Sequence, residues 1–90
     1  MARIYRVALI PRAASELAAL PREAQARIDA RILALALNPR PPGVKKLKGE
    51  EGFYRSCVGD YRVVYSVHDK ELLVLVVRIA PRSEAYRRLG

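Results

Sequence analysis

Apolar residues recur with a strand-like period in some parts of this chain of 90 residues and with a helical period in others. Each change of period marks a boundary between predicted elements. Residues 4–10 are rich in β-branched and aromatic types, which is typical of a β-strand, and they end at Pro11. Between Pro11 and Pro21 the apolar residues recur every three or four positions. That spacing predicts a short first helix that the two prolines bracket.

A second, longer helix is predicted after Pro21. Glu23 suits its first turn, because a carboxylate complements the positive end of the helix dipole, and Asn38 with Pro39 ends it. Arg27 and Arg31 are expected on the side away from the core. The apolar positions at helical spacing predict a buried stripe, widened at its end, of Ala24, Ile28, Ile32, Leu33, Leu35 and Leu37.

From Val44 onward the pattern predicts strands instead of helices. Three are expected, at residues 53–58, 61–67 and 72–79, and Gly59-Asp60 forms a two-residue turn between the first two. The order strand, helix, helix, then three strands predicts the α+β class: an antiparallel β-sheet with an N-terminal αα-hairpin packed on one face. Residues 1–90 are expected to form one domain, because this length suffices for one core and not for two.

The turn at Gly59-Asp60 fixes which side chains share a face of the sheet. Cys57 then lies opposite Arg62, so Arg55 and Arg62 are diagonal neighbours about 7–8 Å apart on the face that the helices leave open. Two guanidinium groups at that spacing can hold one phosphate. An isolated pair of arginines is more often an ordinary solvated feature of a sheet.

The net charge of the chain also favours the binding of an anion. The 17 Lys and Arg residues exceed the 9 Asp and Glu residues, which gives a net charge of +8. Such a field attracts polyanions, and nucleic acid, an acidic protein and a membrane surface all remain open as partners. Lys45, Lys46 and Lys48 precede the hairpin in a stretch without acidic residues, and we predict that they border the phosphate-binding face and contact phosphate groups. A basic run of this kind is usually a solvated loop.

Several classes of protein are disfavoured. Cys57 is the single cysteine, so no disulfide can form within the chain, and a cytoplasmic location is expected. No apolar run reaches the roughly 18 residues of a membrane span. No Cys/His cluster has metal-ligand spacing, and neither a metal nor a cofactor is predicted. His68, the one histidine, is expected to be a solvated turn residue.

Three motifs in fixed order resemble the RelE/ParE superfamily of bacterial and archaeal toxins. They are Leu47-Lys48-Gly49, the run GDYRVVY at residues 59–65 and the run APRSEAY at residues 80–86. The resemblance covers nearly the whole chain and is closest to RelE-type mRNA interferases. It implies the toxin of a type II toxin-antitoxin system, which binds mRNA in the ribosomal A site and cleaves it without a metal to inhibit translation. A cognate antitoxin is the implied protein partner.

The resemblance also implies roles for four residues. Arg55, Arg62, Arg82 and Tyr86 occupy the positions of the family's catalytic set. Cleavage by attack of a ribose 2′-hydroxyl on the adjacent phosphate needs a base, and Tyr86 is the best candidate. Its phenol, with an ordinary pKa of about 10, needs arginines to favour the anion, which Arg62 and Arg82 can do while they clamp the phosphate. Arg55 is a further clamp, and no residue is assigned as the general acid.

Two positions depart from the family pattern. Cys57 stands where the most similar RelE-like enzymes have a second lysine, and Pro81 replaces a histidine found before the arginine in many relatives. A ParE-like toxin, which inhibits DNA gyrase without catalysis, is therefore the main alternative, and an inactive antitoxin-binding module is another. Arg62, Arg82 and Tyr86 together favour the nuclease. Under each alternative, an acidic antitoxin that folds on contact is expected to bind.

Overall fold

A computed structural model describes residues 4–49 and 51–82. One five-stranded sheet, with strand order β1-β5-β4-β3-β2, carries two helices on one face. The α+β class and the helix pair are as predicted. In chain order the elements are β1 (Arg6–Leu9), α1 (Pro11–Ala18), α2 (Arg22–Leu37), β2 (Lys45–Lys46), β3 (Phe53–Val58), β4 (Tyr61–His68) and β5 (Leu73–Pro81).

The helix boundaries follow the prolines and Asn38. Pro11 occupies the first turn of α1, where its missing N–H leaves no hydrogen bond unmade. Pro21, in extended conformation, precedes α2, and Glu23 lies in that helix's first turn. Asn38 is again extended, with φ of −148°, and ends α2. Neither helix is long and apolar enough to cross a lipid bilayer.

The sheet is mixed, so the expectation of a purely antiparallel sheet is wrong at one edge. β1 pairs with β5 in parallel, from Arg6 opposite Leu73 to Leu9 opposite Val76. The helix pair and the following strands carry the chain back to this edge in the same direction as β1. A short alternating run has the same side-chain period in either orientation, so the sequence could not distinguish them.

The hydrophobic core lies between the helix pair and the sheet. Ala13 of α1 and Ile28, Ile32 and Leu35 of α2 are buried against it. The prediction that Leu33 and Leu37 widen the buried stripe is wrong, because 69% and 67% of these side chains are exposed. The side chains that the sheet contributes to this core are mainly Tyr54, Val63, Tyr65, Val67, Val74, Val76 and Ile79.

The two arginines expected on the outer side of α2 instead reach the β3–β4 hairpin. Arg31 donates a hydrogen bond from Nη1 to Oγ of Ser56, which is a buried residue of β3. Arg27 lines a cavity of about 230 Å³ together with Gly59 and Asp60 of the turn. Long side chains at the edge of a helix's buried face can fold back over the neighbouring sheet, which helical periodicity does not reveal.

β1 pairs with β5 only as far as Val76, and after that point a carboxylate accepts a backbone hydrogen bond from the edge of β5. Beyond the end of β1, Glu16 of α1 accepts a hydrogen bond at Oε1 from the backbone N–H of Ile79, over 2.8 Å. Its Oε2 accepts one from Nε of Arg78, over 3.0 Å, and Arg78 is only 4% exposed. Glu16 thereby fixes the last part of β5, immediately before Arg82.

A polar network ties four separate segments together at the other end of the sheet. Asp69 accepts hydrogen bonds from Tyr5 Oη, over 2.6 Å, and from both terminal nitrogens of Arg40, over 3.1 and 2.9 Å. Arg40 also donates from Nε to Oη of Tyr54, over 2.9 Å. The hydrogen bond from Tyr5 to Asp69 raises the pKa of Tyr5. The hydrogen bonds from Arg40 to Asp69 and to Tyr54 raise the pKa of Arg40.

Among the described residues, Tyr65 is the most deeply buried aromatic side chain, with no exposed surface. Its Oη donates to the carbonyl of Pro39 over 2.7 Å. Burial, followed by the nearby Tyr54, raises the pKa of Tyr65 to about 12. The folded state therefore keeps the proton of Tyr65 at a pH where the unfolded chain loses it. The contribution of Tyr65 to the free energy of unfolding therefore has its full value below pH 10 and decreases as the pH rises toward 12.

This linkage predicts a pH-dependent difference between the wild type and a Tyr65→Phe variant. At pH 7 the variant is expected to be less stable by about 1 kcal/mol, because it lacks the hydrogen bond to Pro39. Urea titrations across the pH range should show the difference in unfolding free energy move by up to about 2 kcal/mol in favour of the variant between pH 10 and 12, so that the gap closes and then reverses. A gap that does not change with pH would show that Tyr65 ionises equally in both states.

Candidate nucleic-acid interface

The β3–β4 hairpin has the register that the sequence predicted. Val58 pairs with Tyr61, Cys57 with Arg62 and Arg55 with Val64. Gly59 has a positive φ of 59° and Asp60 does not, which is the pattern of a type II′ turn. Glycine is favoured there because it adopts this conformation without steric cost.

Cationic residues from three strands share the face of the sheet opposite the helices. Lys45 of β2 pairs directly with Arg55 of β3, and residues opposite each other in a ladder point to the same side. Arg62 of β4 pairs with Cys57 of β3, two residues from Arg55. Lys45, Arg55 and Arg62 therefore lie on one face, with Arg55 and Arg62 diagonal to each other.

Arg82 lies at the same end of the sheet as Arg62. Ala80 of β5 pairs with Arg62, and two residues later the backbone N–H of Arg82 donates to the carbonyl of Asp60 over 3.0 Å. Arg82 is exposed. We call Lys45, Arg55, Arg62 and Arg82 the basic strip, since they run from one edge of the sheet to the β3–β4 turn.

The surroundings of Arg62 are partly set by Cys57, a position where the resemblance led us to expect a lysine. Nη1 of Arg62 donates to Sγ of Cys57 over 3.1 Å, and Cys57 is exposed. A lysine at position 57 would add a charge to the strip here, whereas the thiol instead holds one nitrogen of Arg62. Pro81, at the second departure, is exposed at the end of β5 and pairs with Tyr61.

The other two predicted lysines lie apart from the basic strip. Lys46 pairs with Tyr54, so alternation along β2 places it on the opposite side from Lys45. It lines a cavity of about 440 Å³ formed with the loop before β3. Lys48 is exposed in that loop. Both remain candidates for contacts with RNA outside the strip.

Two further sequence expectations concern Tyr86 and His68. Tyr86, the predicted base, lies outside the described residues. His68 is the last residue of β4, and Nε2 of its ring lies 2.9 Å from Oγ of Ser66. Six positions along a strand separate it from Arg62, which corresponds to about 20 Å. His68 is therefore remote from the Arg62 end of the strip.

Sequence reasoning named Lys45 but not its position in the sheet, and it did not single out Glu16. Lys45 was expected only as part of a basic run, whereas β2 gives it a fixed position beside Arg55. A two-residue strand carries no periodic signal, so only the ladder reveals it. Glu16 was not singled out, because nothing in the local sequence marks it as the residue that bonds Ile79 across the fold.

The strip has the chemistry of a phosphodiester-binding surface. Guanidinium groups bind phosphate oxygens through paired hydrogen bonds, and successive cations at strand spacing can follow a nucleic-acid backbone. On the same face Val64 and Ala80 are buried, with 1% and 2% of their surface exposed. The cations therefore sit on a well-packed support that limits the freedom of the sheet beneath them.

Comparisons with known proteins agree with these features. Residues 7–86 match the family described as ParE toxin of type II toxin-antitoxin system, parDE. Toxin RelE of Mycobacterium tuberculosis is 37% identical over 84 residues, which cover 92% of this chain and 87% of that protein. The putative toxin RelE1 of Methanocaldococcus jannaschii is 29% identical over 86 residues, 92% of this chain and 96% of that protein.

Solved structures show the same fold. The archaeal RelE-RelB complex from Pyrococcus horikoshii OT3 contains a chain that is 32% identical, with a TM-score of 0.79, over 88% of this chain and 96% of that one. The isolated RelE toxin of E. coli superimposes with a TM-score of 0.77 at 24% identity, over 96% and 99% of the two chains. The family and the fold are thus established over nearly the whole length.

Proposed function

Because this chain belongs to the RelE/ParE superfamily and is a RelE-type toxin of a type II toxin-antitoxin system, we propose that it cleaves mRNA on the ribosome. Its cognate antitoxin is then the partner that restrains it, and translation in the cytoplasm is the process it stops. The observation that supports the proposal best is the basic strip, which aligns Lys45, Arg55 and Arg62 on one face with Arg82 at its end.

The proposed reaction is an internal transesterification. The ribose 2′-oxygen attacks the adjacent phosphorus while its proton passes to a base, and the bond from phosphorus to the 5′-oxygen of the next nucleotide breaks. The leaving 5′-oxygen takes up one proton, which balances the proton that the base removes, so the products are a 2′,3′-cyclic phosphate and a free 5′-hydroxyl. No water is consumed and no oxidant is needed. Negative charge grows on the phosphate oxygens in the transition state, and fixed cations stabilise it.

Each residue of the strip has a proposed role. Arg62 and Arg82, which lie at the same end of the sheet, clamp the reacting phosphate, and Arg55 holds it from the neighbouring strand. Tyr86, four residues beyond Arg82, is proposed as the base. Lys45 then binds the phosphate of an adjacent nucleotide, because it lies on the far side of Arg55 from Arg62.

The matching family description names ParE, and this favours a second candidate, a toxin that inhibits DNA gyrase by protein contact. An inactive module that only binds antitoxin is the third. The basic strip distinguishes the candidates, because a protein contact with gyrase has no need of a phosphate clamp of this composition. Supercoiling assays with purified gyrase provide the direct test of the second candidate.

The test of the proposal in cells is induced expression without antitoxin. Wild type and an Arg62→Ala/Arg82→Ala/Tyr86→Phe variant would be compared while mRNA 5′ ends are mapped by primer extension. The proposal expects growth arrest with cuts inside translated codons for the wild type, and neither for the variant. Arrest without such cuts, or equal arrest by the variant, would move the function to the gyrase candidate. Normal growth with both chains would leave the inactive module.

Adjacent lysines offer a matched pair of variants. Lys45→Ala removes a cation of the strip, whereas Lys46→Ala removes the same charge from the opposite side. The first is expected to raise the concentration of ribosome complex needed for half-maximal cleavage by about tenfold, and the second by less than about threefold. Equal effects of the two variants would mean that only net charge matters.

A further inference from the structure

The face of the sheet that carries the basic strip also has an uncharged row. The row crosses four strands, because Ala8 of β1 pairs with Leu75 of β5, Leu75 with Ser66 of β4, and Ser66 with Phe53 of β3. Residues that pair in a ladder point to the same side, and so do residues two apart on one strand. Phe53 therefore shares its face with Arg55.

Phe53 is the one phenylalanine of the chain, and it does not contribute to the hydrophobic core. Its side chain is partly exposed. Among the described residues, it belongs neither to the buried core cluster nor to the partly buried side chains that pack against that cluster. Aromatic rings contribute most when their large apolar area is covered, so a ring on the outer face gains from a ligand that covers it.

The cavity of about 440 Å³ beside β2 gives this ring an open side. Phe53 and Leu47 line the cavity together with two glycines of the loop before β3, and its volume is in the range of sites for small ligands. The described charged residues in its lining, Lys46 and Glu51, have opposite signs. The cavity therefore lacks the positive excess of the basic strip, and it suits a flat, uncharged group better than a second phosphate.

The distance between Phe53 and the basic strip suits one nucleotide. Phe53 and Arg55 are two residues apart on β3, which corresponds to about 7 Å, and Lys45 pairs directly with Arg55. Within a nucleotide, only the ribose separates the phosphate from the base. A phosphate held by Arg55 and Lys45 consequently leaves its base within reach of the Phe53 ring.

Cations beside an aromatic ring on an open sheet are the usual arrangement in proteins that bind single-stranded nucleic acid. Every base has a flat π-face that stacks on a ring, whereas the bases of a duplex are already stacked on each other. An apolar peptide side chain could also cover Phe53, but it would make no use of the neighbouring cations. An unpaired nucleotide contacts both.

We propose that Phe53 is the stacking surface for one unpaired base of the RNA that the basic strip binds through its phosphates. The proposal rests on the proposed function, since it takes the strip as the RNA-binding face. It assigns a base to the cavity beside β2, and it makes Phe53 a binding residue for the nucleotide next to the reacting phosphate.

The test compares the affinity of the purified protein for two uncleavable oligonucleotides by fluorescence anisotropy. One is a short single strand of 2′-O-methyl RNA, and the other has the same backbone without bases. Phe53→Ala is expected to weaken binding of the RNA strand about tenfold, the usual loss for one stacked base, and binding of the abasic backbone less than about twofold. Phe53→Trp keeps a ring and should bind the RNA strand within about twofold of the wild type.

The matched control is Leu73→Ala, because Leu73 is also partly exposed on this face and lies two strands away from Phe53. It should leave both affinities within about twofold of the wild type. An equal loss for the two oligonucleotides in Phe53→Ala overturns the proposal, since it would show an effect on folding and not on a base contact. So does an unchanged affinity in Phe53→Ala, or a wild type that binds the RNA strand no more tightly than the abasic backbone.

The result is independent of cleavage, because neither oligonucleotide has a free 2′-hydroxyl that could attack a phosphate. Binding that depends on the bases and on Phe53, in a protein that does not cut mRNA on ribosomes, would contradict the proposed nuclease alone. Cuts on ribosomes with no effect of Phe53→Ala on either oligonucleotide would contradict the stacking proposal alone.

Discussion

Replacing Arg62 by alanine is expected to lower the rate of mRNA cleavage on the ribosome by about 10²- to 10³-fold, the usual effect of losing one fixed donor to a developing oxyanion. Arg62 lies at the centre of the basic strip, opposite Cys57 and Ala80 and diagonal to Arg55. Single-turnover rates on programmed ribosomes measure the effect. Thermal melting of the same variant should stay close to that of the wild type, because Arg62 lies outside the main hydrophobic core.

The Arg62→Lys variant tests whether catalysis needs only a positive charge at this position or also the paired N–H groups of a guanidinium. Lysine keeps the positive charge but cannot place two parallel N–H groups on one phosphate. We expect this variant to recover only part of the lost rate, about tenfold above alanine. Wild-type activity in the lysine variant would show that a single positive charge is sufficient. An unchanged rate in the alanine variant would exclude Arg62 from the reaction altogether.

Glu16→Ala is expected to give the largest loss of stability among the polar changes, about 2–4 kcal/mol in the free energy of unfolding. The substitution removes the carboxylate that binds the buried Arg78 and the N–H of Ile79. Taking away one partner of a buried charge costs much more than the pair itself contributes, because the other charge remains desolvated. Urea titration at pH 7 measures the loss.

The control for Glu16→Ala is a substitution of Arg12, an exposed residue that pairs with the same carboxylate. Arg12 lies 3.5 Å from the same carboxylate, but 55% of its side chain is exposed. Pairs of this kind contribute little, so Arg12→Ala is expected to cost less than about 0.5 kcal/mol. A similar loss in both variants would mean that charge on α1, rather than the bonds to Arg78 and Ile79, stabilises this end of β5.

The sequence predicted the parts of the fold that depend on local rules. Pro11, Pro21 and Asn38 bound the helices, and Gly59 set the turn from which the pairing of Cys57 with Arg62 followed directly. Since side-chain period is two in a strand, one correct turn placed Arg55 and Arg62 on the same face. Much of the basic strip could therefore be inferred from the sequence.

What the sequence could not supply depends on contacts between distant residues. The parallel direction of β1 arises from the path of the chain through two helices, and the position of Lys45 arises from a strand of two residues. The exposure of Leu33 and Leu37 shows a related limit. Their apolar character indicates that they avoid water, but not whether the core or another protein covers them.

The measurement that tests the central claim most directly is the chemistry of the cut ends. Purified toxin would be added to ribosomes that hold a defined mRNA in the A site, with ribosome-free mRNA and the Arg62→Ala/Arg82→Ala variant as controls. The proposed reaction predicts ribosome-dependent fragments that end in a 2′,3′-cyclic phosphate and begin with a 5′-hydroxyl, and none from the variant. Fragments with 5′-phosphate ends, or intact mRNA with the wild type under all conditions, would contradict it.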